Sequence, residues 1–250
     1  MERLGINGVT VELDGSRLFE EGLELRPSIR MLGDLNGVLF DRKVAAKQDD
    51  RALYYMYRQV GCGRNPTFQK KGIRYDITII PEYDIGRELN KTLGHYHSVA
   101  EKGLSYPEMY EVIKGEALYV FQKNVSNAYY DALIVSADAG DKVLVPPNYG
   151  HITVNRGRGT LVMANLVSDF FKPDYQSIID KRGGVVYALT DGSTVLNDEY
   201  KSVRIRHVKG AESVSPAARN TDLYDQFLAD PDKFEFLQKP HLLRGIAGLG

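Results

Sequence analysis

KTLGHYHSVAEKGLSYPEMYEVIKGEALYVFQK, residues 91–123, holds two histidines one residue apart, His95 and His97, followed by a run in which apolar and polar residues alternate. Side chains of an extended chain point alternately to opposite faces, so His95 and His97 project together while Tyr96 points away. Spacing alone does not separate a ligand pair from two packed or exposed histidines. Glu108 and Tyr110 share a face in the same way, and KGEA at 114–117 predicts a hairpin with Gly115 supplying the permissive backbone. Working outward, IRYDITII (73–80), YYDALIV (129–135), DKVLVP (141–146), HITVN (151–155) and TLVMANLV (160–167) are further short alternating runs bounded by Gly, Pro, Asn and Asp. A repeat of about ten residues with such boundaries predicts an all-β sandwich or barrel. GGVVYALTDGSTVLN adds a hairpin turning at Asp191-Gly192.

The flanks read differently. Val9, Val11 and Leu13 alternate before a turn at Gly15, which predicts an extended N-terminal arm, while the apolar repeats of RMLGDLNGVLF and DRALYYMYRQV fit helix or strand equally. From about residue 210 the alternation fades, and a helix capped at Asn220 or Thr221 is expected. The predicted division is an arm with flanking elements at 1–72, a barrel at 73–200 and a partly helical extension at 201–250. With 250 residues, 43% hydrophobic and 26% charged, the chain can bury a core without staples. A net charge of -1 gives no field for nucleic acid or an anionic membrane. The single cysteine, Cys62, excludes an internal disulfide or a thiolate cluster and points to a reducing compartment and to nitrogen and oxygen ligands for any metal. No apolar run reaches the ~20 residues of a membrane helix, and the start MERLGINGVTVELDG lacks a signal-peptide pattern, so a cytoplasmic location is expected.

Downstream, Gly140-x5-Pro146-Pro147-Asn148-Tyr149-Gly150-His151-x3-Asn155 supplies a third histidine at the start of another strand. His-x-His, Glu and Gly followed by this second segment resemble the two motifs of the cupin β-barrel. That resemblance implies a double-stranded β-helix in which His95, His97, Glu108 and His151 surround one divalent ion and leave about two octahedral positions open. Ten residues separate His97 from Glu108, more than the common motif allows, so SVAEKGLSYP is expected to form a loop. Glu101 is the rival ligand. Glu108 is preferred because the Glu-x6-Gly spacing runs from it to Gly115.

The wording around these ligands is narrower still. Thr92-Leu93-Gly94-His95-Tyr96-His97, Glu108-Met109-Tyr110 and Pro146-Pro147 to His151 to Asn155, with RMLGDLNGVLFD upstream and DYQSIIDKRG downstream, resemble the cupin-type phosphoglucose isomerases of archaea and some bacteria. The resemblance covers about residues 8–190. It implies interconversion of glucose 6-phosphate and fructose 6-phosphate, in glycolysis and gluconeogenesis, with Glu108 as base for a cis-enediol route and a hydride shift as the competing one. It further implies that Thr78, Thr92, the Gly94 backbone, Tyr54 and Tyr175 bind the phosphate. Tyr110, two residues along the face of Glu108, is placed either to bond the sugar or the carboxylate or simply to pack in the barrel, and Lys91 is a weaker cationic candidate. One divalent ion per chain is expected, iron foremost, with Mn, Ni, Co or Zn also compatible. A homodimer is expected as well. Two departures stand out: Pro173 occupies a position where some members carry a histidine suited to ring opening, and Val167 one where a second tyrosine is found. The alternatives are another metal cupin, either an isomerase of a related sugar phosphate or a dioxygenase, and a non-catalytic sugar-binding cupin. His207 and His241 fall outside any ligand pattern and are expected to be exposed.

Overall fold

The computed structural model describes residues 1–6, 9–45, 51–126, 129–209 and 216–243. Two sheets face each other. The larger has six antiparallel strands in the order Lys142–Val145, Glu108–Lys114, Leu161–Ser168, Ile73–Ile80, Ala52–Tyr57 and Ser28–Met31. The smaller runs Gly150–Asn155, Glu116–Ser126, Tyr129–Asp138 and Ser202–Lys209, antiparallel except for the last pair. Segment 90–97 closes the barrel, bridging Lys91 to Val154 and His95 to His151. The architecture is all-β, as the alternation predicted, and a barrel, as the cupin resemblance implied.

Period-two patterning explains which face is which. In strand 73–80, Tyr75, Ile77 and Ile79 pack outward in one apolar cluster with Met109, Val162 and Leu166, while Asp76 and Thr78 lie on the other face. Tyr110, Val112, Tyr119, Phe121, Val143 and Met163 fill the interior between the sheets. Strand 161–168 is buried along its whole length, which a half-exposed barrel strand would not be. The cause is an outer cover. The arm contributes Leu4, Val11 and Leu18, and the C-terminal extension contributes Leu223, Phe227 and Phe234 to the outward cluster. Each such side chain contributes about 1.5–3 kcal/mol by leaving water.

Three expectations change. KGEA is no hairpin, because strands 108–114 and 116–126 belong to different sheets. Gly115, at φ +86°, turns the chain from one sheet to the other, and a Cβ there would sit 2.9 Å from the Thr160 carbonyl oxygen. The barrel also recruits both flanks: strands 28–31 and 52–57 extend the large sheet, and 202–209 runs parallel to 129–138, so the sheets overrun the expected boundaries at 72 and 200. Finally, the helix Leu223–Ala229 is capped by Asp222, whose side chain accepts from the Asp225 amide, rather than by Asn220 or Thr221. The predicted hairpin at Asp191-Gly192 forms, pairing Val186–Ala188 with Thr194–Leu196.

Candidate metal centre and substrate cavity

Barrel closure brings the histidines together. The Thr92 amide donates to the Thr153 carbonyl at 2.8 Å, and His95 and His151 exchange backbone bonds of 3.2 and 3.0 Å. This lays the two imidazoles side by side, ring centroids 4.5 Å apart. The approach is close enough that Gly94, at φ +84°, has no room for a side chain: a Cβ would lie 2.3 Å from Ile152 Cγ1. His97 follows in the strand Tyr96–His97, which pairs with Pro173–Asp174. The SVAEKGLSYP insertion folds into a small hairpin, Val99–Glu101 against Leu104–Ser105, after which the Tyr106 carbonyl meets His97 Nδ1 at 2.9 Å. With Nδ1 as the donor in that bond, Nε2 of the neutral ring presents its lone pair. Glu108 opens its strand beside Val145 and Val167.

One donor atom from each of His95, His97, Glu108 and His151 falls within a group spanning no more than 4.8 Å. Glu108 Oε2 is 3.4 Å from His97 Nε2 and 3.3 Å from His151 Nε2. His95 Nε2 and His97 Nε2 are 3.1 Å apart. Glu108 Oε2 is buried and has no hydrogen-bond partner, a costly state that a cation among these four donors relieves. The residues therefore fit a divalent ion: three imidazole nitrogens and one carboxylate oxygen, with no thiolate.

Burial lowers the His95 imidazole well below its ordinary range, helped by the fields of His151 and His97. His97 is pushed down to about 4, mainly by burial, although Glu108 pulls the other way. Burial pushes the Glu108 carboxyl up, but contact with His151 and the fields of His97 and Arg74 outweigh it and hold the group below the usual carboxylate range. The Tyr110 hydroxyl, 3.2 Å from His151 Nε2, is raised well above its ordinary value by burial and by Glu108, so it stays a proton donor.

The cluster opens into a cavity of about 360 Å³. Tyr54, Thr78, Thr92, Gly94 and Tyr175 line it together with His95, Glu108, Tyr110 and His151, while His97 stands behind. The sequence-predicted residues thus meet in one place. Thr92 Oγ1 accepts from the Thr153 amide at 3.0 Å and the Tyr54 hydroxyl from the Leu93 amide at 3.3 Å, leaving both hydroxyl protons to donate. Lys91 is not among them: it is buried away from the cavity, 2.6 Å from Glu88 and donating to the Val38 carbonyl. Glu101, the rival ligand, is bound by His241 instead, so His241 is half-buried and not the free side chain expected. His207 is exposed. Arg58, Arg74, Asn165 and Phe171 also line the cavity and were not foreseen. The signal was present for the arginines, since Arg58 follows Tyr54 and Arg74 precedes Thr78 by an even number of strand positions.

A closed barrel of this topology, with three histidines and a carboxylate on facing strands, defines a cupin with a candidate metal centre. Comparison with known proteins narrows the class. Residues 29–204 match the family described as glucose-6-phosphate isomerase (GPI). The chain is 25% identical over 186 residues to the glucose-6-phosphate isomerase of Thermococcus litoralis, covering 73% of this chain and 92% of that one. It is 28% identical over 156 residues to that of Thermococcus onnurineus, covering 61% and 75%. With the Pyrococcus furiosus protein of the same name it shares 25% over 169 residues, covering 65% and 82%. Among solved structures, oxalate oxidase is similar over 48% of this chain and 51% of its own at 14% identity with a TM-score of 0.33, too distant to bear on activity. This chain belongs to the glucose-6-phosphate isomerase family and is an isomerase by that membership. The family match ends at 204, before the extension from 216 onward.

Proposed function

We propose that the protein interconverts glucose 6-phosphate and fructose 6-phosphate as a metal-dependent aldose–ketose isomerase, within glycolysis and gluconeogenesis in the cytoplasm, as a homodimer. The observation that carries this reading is the convergence of His95, His97, Glu108 and His151 at one side of a cavity, where His97 backs the other three and the remaining walls offer Tyr54, Thr78, Thr92 and Tyr175. A divalent ion held by those four residues, iron or another first-row metal, supplies Lewis-acid polarisation of the sugar carbonyl. The open-chain substrate then lies with its C1–C2 end toward Glu108 and its phosphate toward the hydroxyl-bearing wall.

Glu108, ionised at neutral pH, takes the proton from one carbon of the C1–C2 pair and delivers a proton to the other, while the hydroxyl proton passes between O1 and O2. Tyr110 remains protonated and donates to a sugar oxygen. Phe171, tilted over His97 with ring centroids 4.1 Å apart, keeps water from that side of the cluster. The barrel interior supplies the site, while the arm and the extension stabilise it from outside.

The test is to load the protein with Fe, Mn, Co, Ni or Zn, add fructose 6-phosphate and assay glucose 6-phosphate, with chelated protein and Glu108→Gln alongside. Turnover that survives chelation overturns the metal-dependent reading. Run in deuterated water, solvent hydrogen at C1 or C2 of the product establishes proton transfer and rules out a hydride shift.

A further inference from the structure

Arg58 and Arg74 line the same cavity as the candidate metal cluster, and one carboxylate holds both. Asp76 is fully buried and accepts from Arg58 Nη1 at 2.6 Å, Arg74 Nε at 2.8 Å and the Gln59 amide at 3.0 Å. A buried carboxylate with three such donors is a rigid anchor for both guanidiniums. The two arginines differ in what remains to them. The Arg74 guanidinium lies 4.9 Å from the centre of the Phe171 ring, and its Nη1 is 3.5 Å from Asp169. Arg58 is 43% exposed along its side chain, and its other contact, Nη2 to the Met56 sulfur at 3.3 Å, is to a weak acceptor.

Register places Arg58 next to the hydroxyl-bearing wall. Met56 pairs with Thr78 and Tyr57 with Ile77, so continuing the ladder sets Arg58 opposite Asp76 on the face that carries Thr78. Tyr54, Thr78 and Thr92 offer hydrogen bonds but no charge, whereas a phosphate in the cavity brings nearly two negative charges out of water. Arginine binds phosphate through paired N–H groups and stays charged throughout.

Resting on the reading that the ligand is a sugar phosphate, we propose that Arg58, fixed by Asp76, is a specificity-determining residue that binds the phosphate group and makes the cavity select phosphorylated sugars. The probe is sorbitol 6-phosphate, which has the chain and the phosphate but no carbonyl, titrated calorimetrically into metal-loaded wild type, Arg58→Met, Arg58→Gln and Arg58→Lys. The first two are expected to bind at least tenfold more weakly and to lose the gain in affinity that the wild type shows as the phosphate acquires its second charge between pH 6 and 7, while Arg58→Lys recovers part of both. Steady-state turnover should show the same loss in KM for fructose 6-phosphate. Wild-type affinity in either neutral variant, or a loss in Arg58→Lys as large as in Arg58→Met, overturns the assignment; Arg58→Gln keeps a polar head for Asp76 to hold and answers the question if Arg58→Met does not fold. A wild type that binds sorbitol 6-phosphate through Arg58 yet fails to isomerise fructose 6-phosphate would refute the proposed reaction and leave this inference standing.

Discussion

His97 Nδ1 faces the carbonyl oxygen of Tyr106 at 2.9 Å, and this contact decides which nitrogen the ring turns toward Glu108. The hairpin inserted between the two ligands therefore positions the first of them.

Metal-free protein should lose stability as the solution is acidified. An unfolded imidazole titrates near about 6.5, whereas burial holds that of His97 down to about 4. Between those values the unfolded state binds the proton and the folded state does not, so stability rises with pH and falls as pH drops through the window. His95 is lowered in the same direction and adds to the effect. Urea midpoints of chelated protein should decline between about pH 6.5 and 4; a flat series would contradict it.

Gly94→Ala should damage both the fold and the cluster. The new methyl meets Ile152 Cγ1 at 2.3 Å and the His151 carbonyl oxygen at 3.0 Å, on a backbone at φ +84°. Strain of this kind costs about 1–3 kcal/mol, and relief would separate His95 from His151. A lower melting temperature with reduced metal content is the expected outcome.

Glu101→Gln should retain a full complement of metal, whereas Glu108→Gln should lose most of it. Glu101 is engaged by His241 of the C-terminal extension. Glu108 Oε2 stands within 3.4 Å of two imidazoles. Metal analysis after dialysis decides between them.

Phe227→Ala should destabilise the protein by about 3–5 kcal/mol, the usual cost of deleting a buried aromatic ring. Phe227 is fully buried and packs on Phe68 with ring centroids 4.7 Å apart. Urea unfolding measures the loss, and a change below about 1 kcal/mol would mean the extension packs loosely.

Local alternation was enough to place strand 73–80 at its observed bounds, and the resemblance to the two cupin motifs selected the four residues that converge. What the sequence hid was pairing. Nothing local distinguishes Gly115 in a hairpin from Gly115 at a crossing between sheets, because both need a positive φ. Arg58 was hidden for a related reason: it follows strand 52–57 while Asp76 lies on strand 73–80, so their bond exists only once those strands are side by side. The hydroxyl-bearing wall was legible through family resemblance, and its charge only through the parity that sets Arg58 with Tyr54 and Arg74 with Thr78.

The backbone bridge between His95 and His151 also bears on the order in which the chain folds. It joins segments far apart in sequence, so the entropy of closing that long loop is spent before the four donors can meet. Partly folded chains would accordingly offer no complete coordination sphere, and a divalent ion would bind the native state alone. Binding of that kind deepens the native well by an amount set by free-ion concentration over dissociation constant, so metal supply would govern how long the closed barrel persists as well as whether it turns over substrate.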